Sequence, residues 1–492
     1  IVVWKLKQVR LLLQFSLSIK GGFHMKSTKP TVSFAESLGI LIALLAILGY
    51  LIIGQKLTPH IPILFVFMLL LLYGKWKGFS WDEIHEGIVE GIKPGIIPII
   101  IFLLIGVLVA TWILSGTIPT IMVYGFKIIS VKFFLPTVFV VCALVGVTVG
   151  SSFTTVSTMG IAFLGIGHIL GFDNAMTAGA VVSGAFLGNN ISPLSDTTNL
   201  AAGIGGVNLF EHILNMMYTV IPAFIISIVG YIFLGHQSGS ADLQSVDAMV
   251  QTLHQGFWIS PITLLPVAVL FLFAWKKVPA IPTLLVGSTV AVILAFINDH
   301  HLSLAKVSTI LMSGYVADTG DQSIDTLLSR GGIESMLGSA ALIILALGLG
   351  GLLIKFNIVA TLIDKIKGYV NNPAKLIALT ALSSVGINLL VGEQYLSIIL
   401  PGETFKSSFT RLGIDKKYLT RTLADAGAAV NSLIPWGVSG TFIMGTLKVG
   451  ALEYLPYAFF PLLCPIITVI LGIFLKKQQG ENKKAPGTNV EL

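Results

Sequence analysis

The sequence predicts an all-α polytopic membrane protein made of two inverted-topology repeats, each of about five spans plus a re-entrant hairpin and a broken helix. Three observations carry that prediction. Hydrophobic residues make up 54% of the 492 and charged residues only 11%, against about 25% charged in a soluble domain, which excludes a soluble enzyme. Apolar runs long enough to cross about 30 Å of hydrocarbon recur down the whole length. The second part of the chain also repeats the Gly, Pro, Asn and acidic positions of the first at a fixed spacing. The formal charge of +7 is scattered as Lys and Arg at the ends of apolar runs. That pattern is a topology signal, not a nucleic-acid surface. Cys142 and Cys464 lie inside apolar runs and read as small buried hydrophobes.

Residues 1–24 begin with Ile and precede the first methionine, Met25. Lys20-Gly21-Gly22 is what the codons AAA-GGA-GGN encode, a bacterial ribosome-binding sequence at the usual distance before a start codon. Residues 1–24 are therefore expected to be leader sequence. The first transmembrane repeat is expected over 25–235, with spans near 36–54, 59–74, 95–115 and 209–234. Residues 79–93, amphipathic and acidic, suit an interfacial helix. Residues 117–132, with Lys127 and Lys132, suit a surface helix and turn. Two apolar pieces, 133–149 and 153–170, meet at Gly150 as a re-entrant hairpin or as two full spans. A loop at 236–256 carries no Lys or Arg and is expected outside. The second, inverted repeat follows over 257–476, with a cytoplasmic tail at 477–492.

Residues 101–234 fall on 343–476 at one offset of 242. Gly106 meets Gly348, Gly150 meets Gly392, Asn189 meets Asn431 and Pro193 meets Pro435. Paired Gly, Pro, Asn and acidic positions at one offset mark a duplication. Lys276 and Lys277, then Lys355 to Lys375, and finally Lys476 and Lys477 place an odd number of crossings in each copy, so the second copy is inverted. Discontinuous helices in inverted repeats put a binding site at the repeat interface.

The most unusual stretch is Gly184–Gly206, where Pro193 breaks an apolar helix among polar residues. An aspartate at membrane depth is retained for function or for a partner. Asp196 stands there with Ser195, Thr197, Thr198 and Asn199, all oxygen donors suited to a hard cation such as Na⁺. Its alternative role is capping the following half-helix. The twofold would bring this break near its twin around Asn431 and Ser432. It would likewise bring together the hairpin tips, Gly150–Thr158 and Gly392–Ser397. The expected ion or substrate site is thus Asn189, Ser192, Ser195, Asp196, Thr197, Thr198, Asn431 and Ser432. Ser152, Thr154, Thr155 and Gln394 lie at the tips. Proton carriers are sought among acids present in only one half, namely Asp196, Glu393 and Asp425. Asp173, Asp415, Glu211 and Glu453 occur in both halves and suit helix starts. No phosphate-binding loop is present, and no cofactor beyond the transported ions is expected.

At Ser192-Pro-Leu-Ser-Asp-Thr-Thr-Asn-Leu200 the chain resembles the NhaC-type sodium/proton antiporters of the ion-transporter superfamily, which include malate/lactate antiporters. VPAIPTLLVG (278–287), LLSRGGIESML (327–337), GEQYLSIILPGETF (392–405) and SLIPWGVSG (432–440) extend the resemblance over nearly the whole chain after Met25. It implies a secondary carrier of the bacterial inner membrane, with both termini cytoplasmic, that exchanges Na⁺ for H⁺. The chain departs from many relatives in having Asn189-Asn190 where they carry an acid followed by Lys. Which acid carries the proton stays open, as does carriage of a small carboxylate or amino acid with the ions. A non-transporting scaffold is the third reading, disfavoured by the unpaired acids. The expected partners are the lipid bilayer, Na⁺ and H⁺; a small organic anion and a second copy of the chain are left open.

Overall fold

A computed structural model describes residues 32–128, 131–238, 243–276 and 278–475. The leader expected over 1–24, the lysines at 26, 29 and 277, and the tail from 476 lie outside them. The described residues form helices joined by short turns, without strands. Seven helices are long and apolar enough to cross a bilayer. Two further pairs, bent by 82° at 256–261 and by 64° at 457–459, bring the number to as many as nine. The chain is a multi-pass membrane protein.

The first helices are started by local chemistry. Ser33 caps α1 (Phe34–Leu48) and exchanges hydrogen bonds with Glu36, and Ser80 does the same with Glu83 at the start of α3 (Trp81–Ile92). Between them lies α2 (His60–Trp76). The amphipathic stretch expected to lie at the membrane surface is not a separate element. One tight turn joins α3 to α4 (Ile96–Leu114), and the two run as a single 34-residue rod. Its glycines explain why. A side chain on Gly91 would meet the Gly351 backbone at 2.5 Å, and one on Gly87 would meet Lys355 at 2.7 Å. The amphipathic face therefore packs against protein, with small residues letting two backbones approach.

The expected surface helix, α5 (Thr117–Ile128), is also corrected. Ile118, Met122 and Val123 are buried, and Thr117 and Thr120 bond Thr263 at 2.7 Å each. The stretch expected as a re-entrant hairpin or two full spans forms two helices, α6 (Phe134–Val149) and α7 (Ser152–Ile169), that turn at Gly150 and make a hairpin in the sense of that turn alone. The broken helix follows as α8 (Asn174–Ile191) and α9 (Asp196–Gly205), then the long α10 (Leu209–Ser238). The loop expected at 236–256 is helical from Leu243, as α11 (Leu243–Gly256).

The second half contains α12 (Leu265–Trp275), α13 (Ala280–Asn298), α14 (Leu304–Ser313), α15 (Gln322–Leu328) and α16 (Glu334–Lys355). The segment 299–333 packs against α4. Gly332 N–H donates to Gly106 O at 2.7 Å, halfway along α4. After α17 (Ile358–Lys367) comes the second hairpin, α18 (Pro373–Val391) and α19 (Gln394–Arg411). Then α20 (Lys416–Leu423) widens into a π turn, Ala424–Ala428, and breaks at 434–437. The half-helix α21 (Val438–Leu447) and the final α22 (Phe459–Ile473) complete the chain.

Helix ends in the two halves correspond. Gly150 and Gly392, 242 apart, close α6 and α18 in left-handed backbone at φ 69° and 74°. Asp173 and Asp415, at the same spacing, cap α8 and α20 with identical backbone angles. Upstream the spacing is 241, between left-handed Gly116 and Asn357. The second half therefore has one residue more between 357 and 392 than the first has between 116 and 150, and the helix ends share the spacing of 242 only beyond it.

Candidate ion-binding site

Each break is stitched by the polar residues that interrupt the apolar pattern. Pro193 has no N–H, so the turn at 192–195 leaves backbone carbonyls to be satisfied by side chains. Thr198 Oγ1 donates to the carbonyls of Asn189 (3.0 Å) and Asn190 (3.2 Å). Asn199 Nδ2 donates to those of Pro193 (2.9 Å) and Ser195 (2.7 Å). Asn189 Nδ2 donates to Thr197 Oγ1 at 3.1 Å, and Ser195 Oγ lies 3.0 Å from the same hydroxyl. Ser195 is the cap of α9, accepting from Thr198 N. Asp196, expected either to hold the ion or to cap the half-helix, is thus not the cap. It is the first residue of α9, exposed on the protein surface, where the helix N-terminus favours a negative charge.

The twin break is organised by one buried side chain. Asn431 Nδ2 donates to Asn388 Oδ1 (2.9 Å) and Gly392 O (3.1 Å), and its Oδ1 accepts from Ser439 N (2.9 Å). Ser432 Oγ donates to Ala429 O at 2.8 Å, and the Ser432 carbonyl accepts from the Tyr454 hydroxyl.

Each break is also tied to the hairpin of its own half. Ser192 Oγ donates to Val147 O at 2.6 Å, and Trp436 Nε1 to Leu389 O at 2.8 Å. Val147 and Leu389 are again 242 apart. At the tips, Ser151 accepts from Thr154 N and Glu393 Oε2 from Leu396 N at 2.8 Å, another pair of equivalent positions. Ser152, Thr154, Thr155 and Gln394 are buried at these tips. Glu393 is wholly buried, and its Oε1 has no hydrogen-bond partner among the described residues.

The halves meet through the half-helices. Along α19, Gly402 admits Ile204 of α9, and Lys406 Nζ donates to Ile204 O at 2.6 Å. Along α7, Gly160 admits Leu447 of α21. Gly160 and Gly402 are equivalent positions. This crossing carries Asp196 from one half to the hairpin tip of the other. Tyr395, half-buried, lies close enough to feel the charges of both Asp196 and Glu393. Asp425 sits elsewhere, in the π turn, accepting from Thr219 Oγ1 at 3.3 Å.

Sequence reasoning missed Asn388 and Tyr395. Asn388 is the polar residue of an apolar run opposite Gly146, a signal that a search for acids passes over. Tyr395 shows nothing in sequence that sets it apart from other aromatics.

Two broken helices, each hydrogen-bonded to the helix turn of its own half, define a polytopic membrane protein with polar side chains gathered at its helix interruptions. The chain belongs to the Na⁺/H⁺ antiporter family, whose sequence pattern matches residues 25–198 and 187–475. It is 41% identical to the Na⁺/H⁺ antiporter NhaC of Alkalihalophilus pseudofirmus over 92% of this chain and 98% of that one. It is 40% identical to NhaC of Bacillus subtilis over 92% and 100%. The malate-2H⁺/Na⁺-lactate antiporter of Bacillus subtilis shares 30% identity over 88% of this chain and 93% of its own.

Proposed function

We propose that this chain is a secondary carrier that exchanges Na⁺ for H⁺ across the bacterial inner membrane. The observations that carry the reading are a wholly buried carboxylate, Glu393, at one tip and a second carboxylate, Asp196, at the start of the half-helix in the other half. Na⁺ seeks carboxylate, hydroxyl and carbonyl oxygens, and all three types surround these tips. Binding of Na⁺ at the Asp196 region expels a proton from Asp196 or Glu393, and the loaded site is opened alternately to either side. Family membership and the high identity to chains named Na⁺/H⁺ antiporters support the same ions.

Alternating access needs two halves that rock about the site. Caps at matched spacing, and the reciprocal seating of Ile204 on Gly402 and of Leu447 on Gly160, support two inverted repeats. The charge pattern supports cytoplasmic termini.

Everted vesicles test the exchange. Na⁺ alone is expected to dissipate a respiration-generated pH gradient, and a strict requirement for malate, lactate or an amino acid would replace plain exchange by coupled carriage. Asp196→Asn is expected to lower Na⁺-driven proton flux at least about tenfold, the effect of losing roughly 1.4 kcal/mol of binding. Full activity in that variant would sink the assignment of the site.

A further inference from the structure

Asp425 lies in the π turn, away from the helix breaks, and is one of the few acids in the protein interior. Its side chain is wholly buried and Arg421, one turn earlier, is 2% exposed. Asp425 Oδ2 and Arg421 Nη2 have no hydrogen-bond partner among the described residues, although the two charges act on each other. A buried polar atom left unpartnered costs about 1–3 kcal/mol, so the pair is a poor structural device.

The other half shows that the fold does not need it. At the spacing of 242, Asp425 corresponds to Ser183 and Arg421 to Gly179. Ser183 Oγ accepts from Tyr231 OH at 2.8 Å and from Phe460 N at 3.3 Å. Gly179 packs against Tyr457, where a side chain would clash at 2.5 Å. The same place is filled in one half by neutral groups with partners and in the other by two incompletely satisfied charges.

We propose that Asp425 is a second proton-binding site of the exchanger, one that Na⁺ does not occupy. This rests on the exchange reading above. Its carboxylate takes up one proton at Oδ2 from one side of the membrane and returns it to the other, with no other bond made or broken. Arg421 keeps the empty carboxylate from binding a cation in place of the proton, by occupying its neighbourhood with positive charge.

The groups around Asp425 fit that role. Arg421 and Tyr418 come from its own helix. One face of α10 presents His212, Asn215 and Thr219, which bond Thr420 Oγ1 (2.9 Å), Lys417 O (2.7 Å) and Asp425 Oδ1 (3.3 Å). Tyr218 of α10 lies near Arg421, and Cys464 and Thr468 of α22 face the carboxylate. From the hairpin, Asn388 and Ser397 hold the π turn itself. Asn388 Nδ2 donates to Gly427 O at 2.7 Å and Ser397 Oγ to the same carbonyl at 3.2 Å. Because Asn388 also accepts from Asn431, which donates to Gly392 O, hydrogen bonds tie the backbone of the π turn to the tip that precedes Glu393.

The test measures the H⁺:Na⁺ ratio in proteoliposomes, from the Na⁺ gradient that just balances an imposed pH gradient. Asp425→Asn is expected to lower the ratio by one proton per Na⁺ while exchange of radioactive Na⁺ for Na⁺ at fixed pH is kept. An unchanged ratio overturns the proposal, as does loss of Na⁺/Na⁺ exchange in correctly assembled protein. Should Asp425→Asn fail to assemble, Thr219→Val is read instead. Its loss of one donor to the carboxylate is expected to move the pH profile of coupling upward at constant Na⁺ half-saturation, and an unmoved profile refutes the second site. A wild-type protein without any Na⁺-driven proton flux is a different failure, that of the exchange reading, and takes this proposal with it.

Discussion

Asn431 and Asp196 sit at equivalent kinds of place and do opposite work. Asn431 is buried, with a donor and an acceptor fully used to hold a helix interruption against its hairpin tip. Asp196 faces outward from the start of a half-helix whose freed carbonyls are already satisfied by Thr198 and Asn199. The uncharged polar residues of the break are therefore largely structural. Asn431→Ala removes three hydrogen bonds at a buried point, and each unpartnered group left behind costs about 1–3 kcal/mol. Thermal unfolding in detergent is expected to show a clearly lowered midpoint, whereas Asp196→Asn is expected to unfold like the wild type. Equal midpoints for both would show that Asn431 is not the organiser of the second break.

At the scale of elements, close approach of backbones does most of the positioning. The rod formed by α3 and α4 packs where Gly91 meets Gly351, and the two half-helices seat at Gly160 and Gly402. Gly91→Val puts atoms where the Gly351 backbone stands at 2.5 Å, and overpacking of this kind costs about 1–3 kcal/mol. Lower yield and a lower unfolding midpoint are expected. Gly39→Ala, with nothing within 4 Å, serves as the neutral comparison. The broken helices were legible because Pro193 and Pro435 interrupt apolar runs at matched positions. The rod was not legible: the amphipathic pattern of 79–93 is the same whether the face with Ile84, Gly87 and Gly91 meets lipid or another helix. Burial of α5 was hidden for a similar reason, since Lys127 and Lys132 at its end say nothing about the threonines that bond Thr263.

At the scale of the molecule, the proposed inverted arrangement predicts sides. An impermeant thiol reagent is expected to label Gln251→Cys only from outside the cell and Lys375→Cys only from inside. The native cysteines are both buried and give a low background. Labelling of both from the same side would remove the inversion. Competition between ions predicts the pH response. Na⁺ binds the deprotonated carboxylates, so raising the pH is expected to lower the Na⁺ concentration for half-maximal exchange, by up to about tenfold per pH unit where one proton competes. A half-saturation independent of pH would separate the two ions onto different groups.

By itself the sequence determined that the chain crosses a membrane many times, that its parts are related at a spacing of 242, and where its helices break. Composition and the periodicity of Gly, Pro and Asn are local properties, and hydrocarbon leaves a chain few ways to satisfy its backbone. The tertiary structure alone decided where the acids lie. Packing of α9 on α19 leaves Asp196 exposed at the start of a half-helix and Glu393 buried at the tip before α19, and a π turn with its hydrogen-bonded neighbours holds Asp425 elsewhere, because those positions depend on how glycine-paved helices pack across residues far apart in the chain.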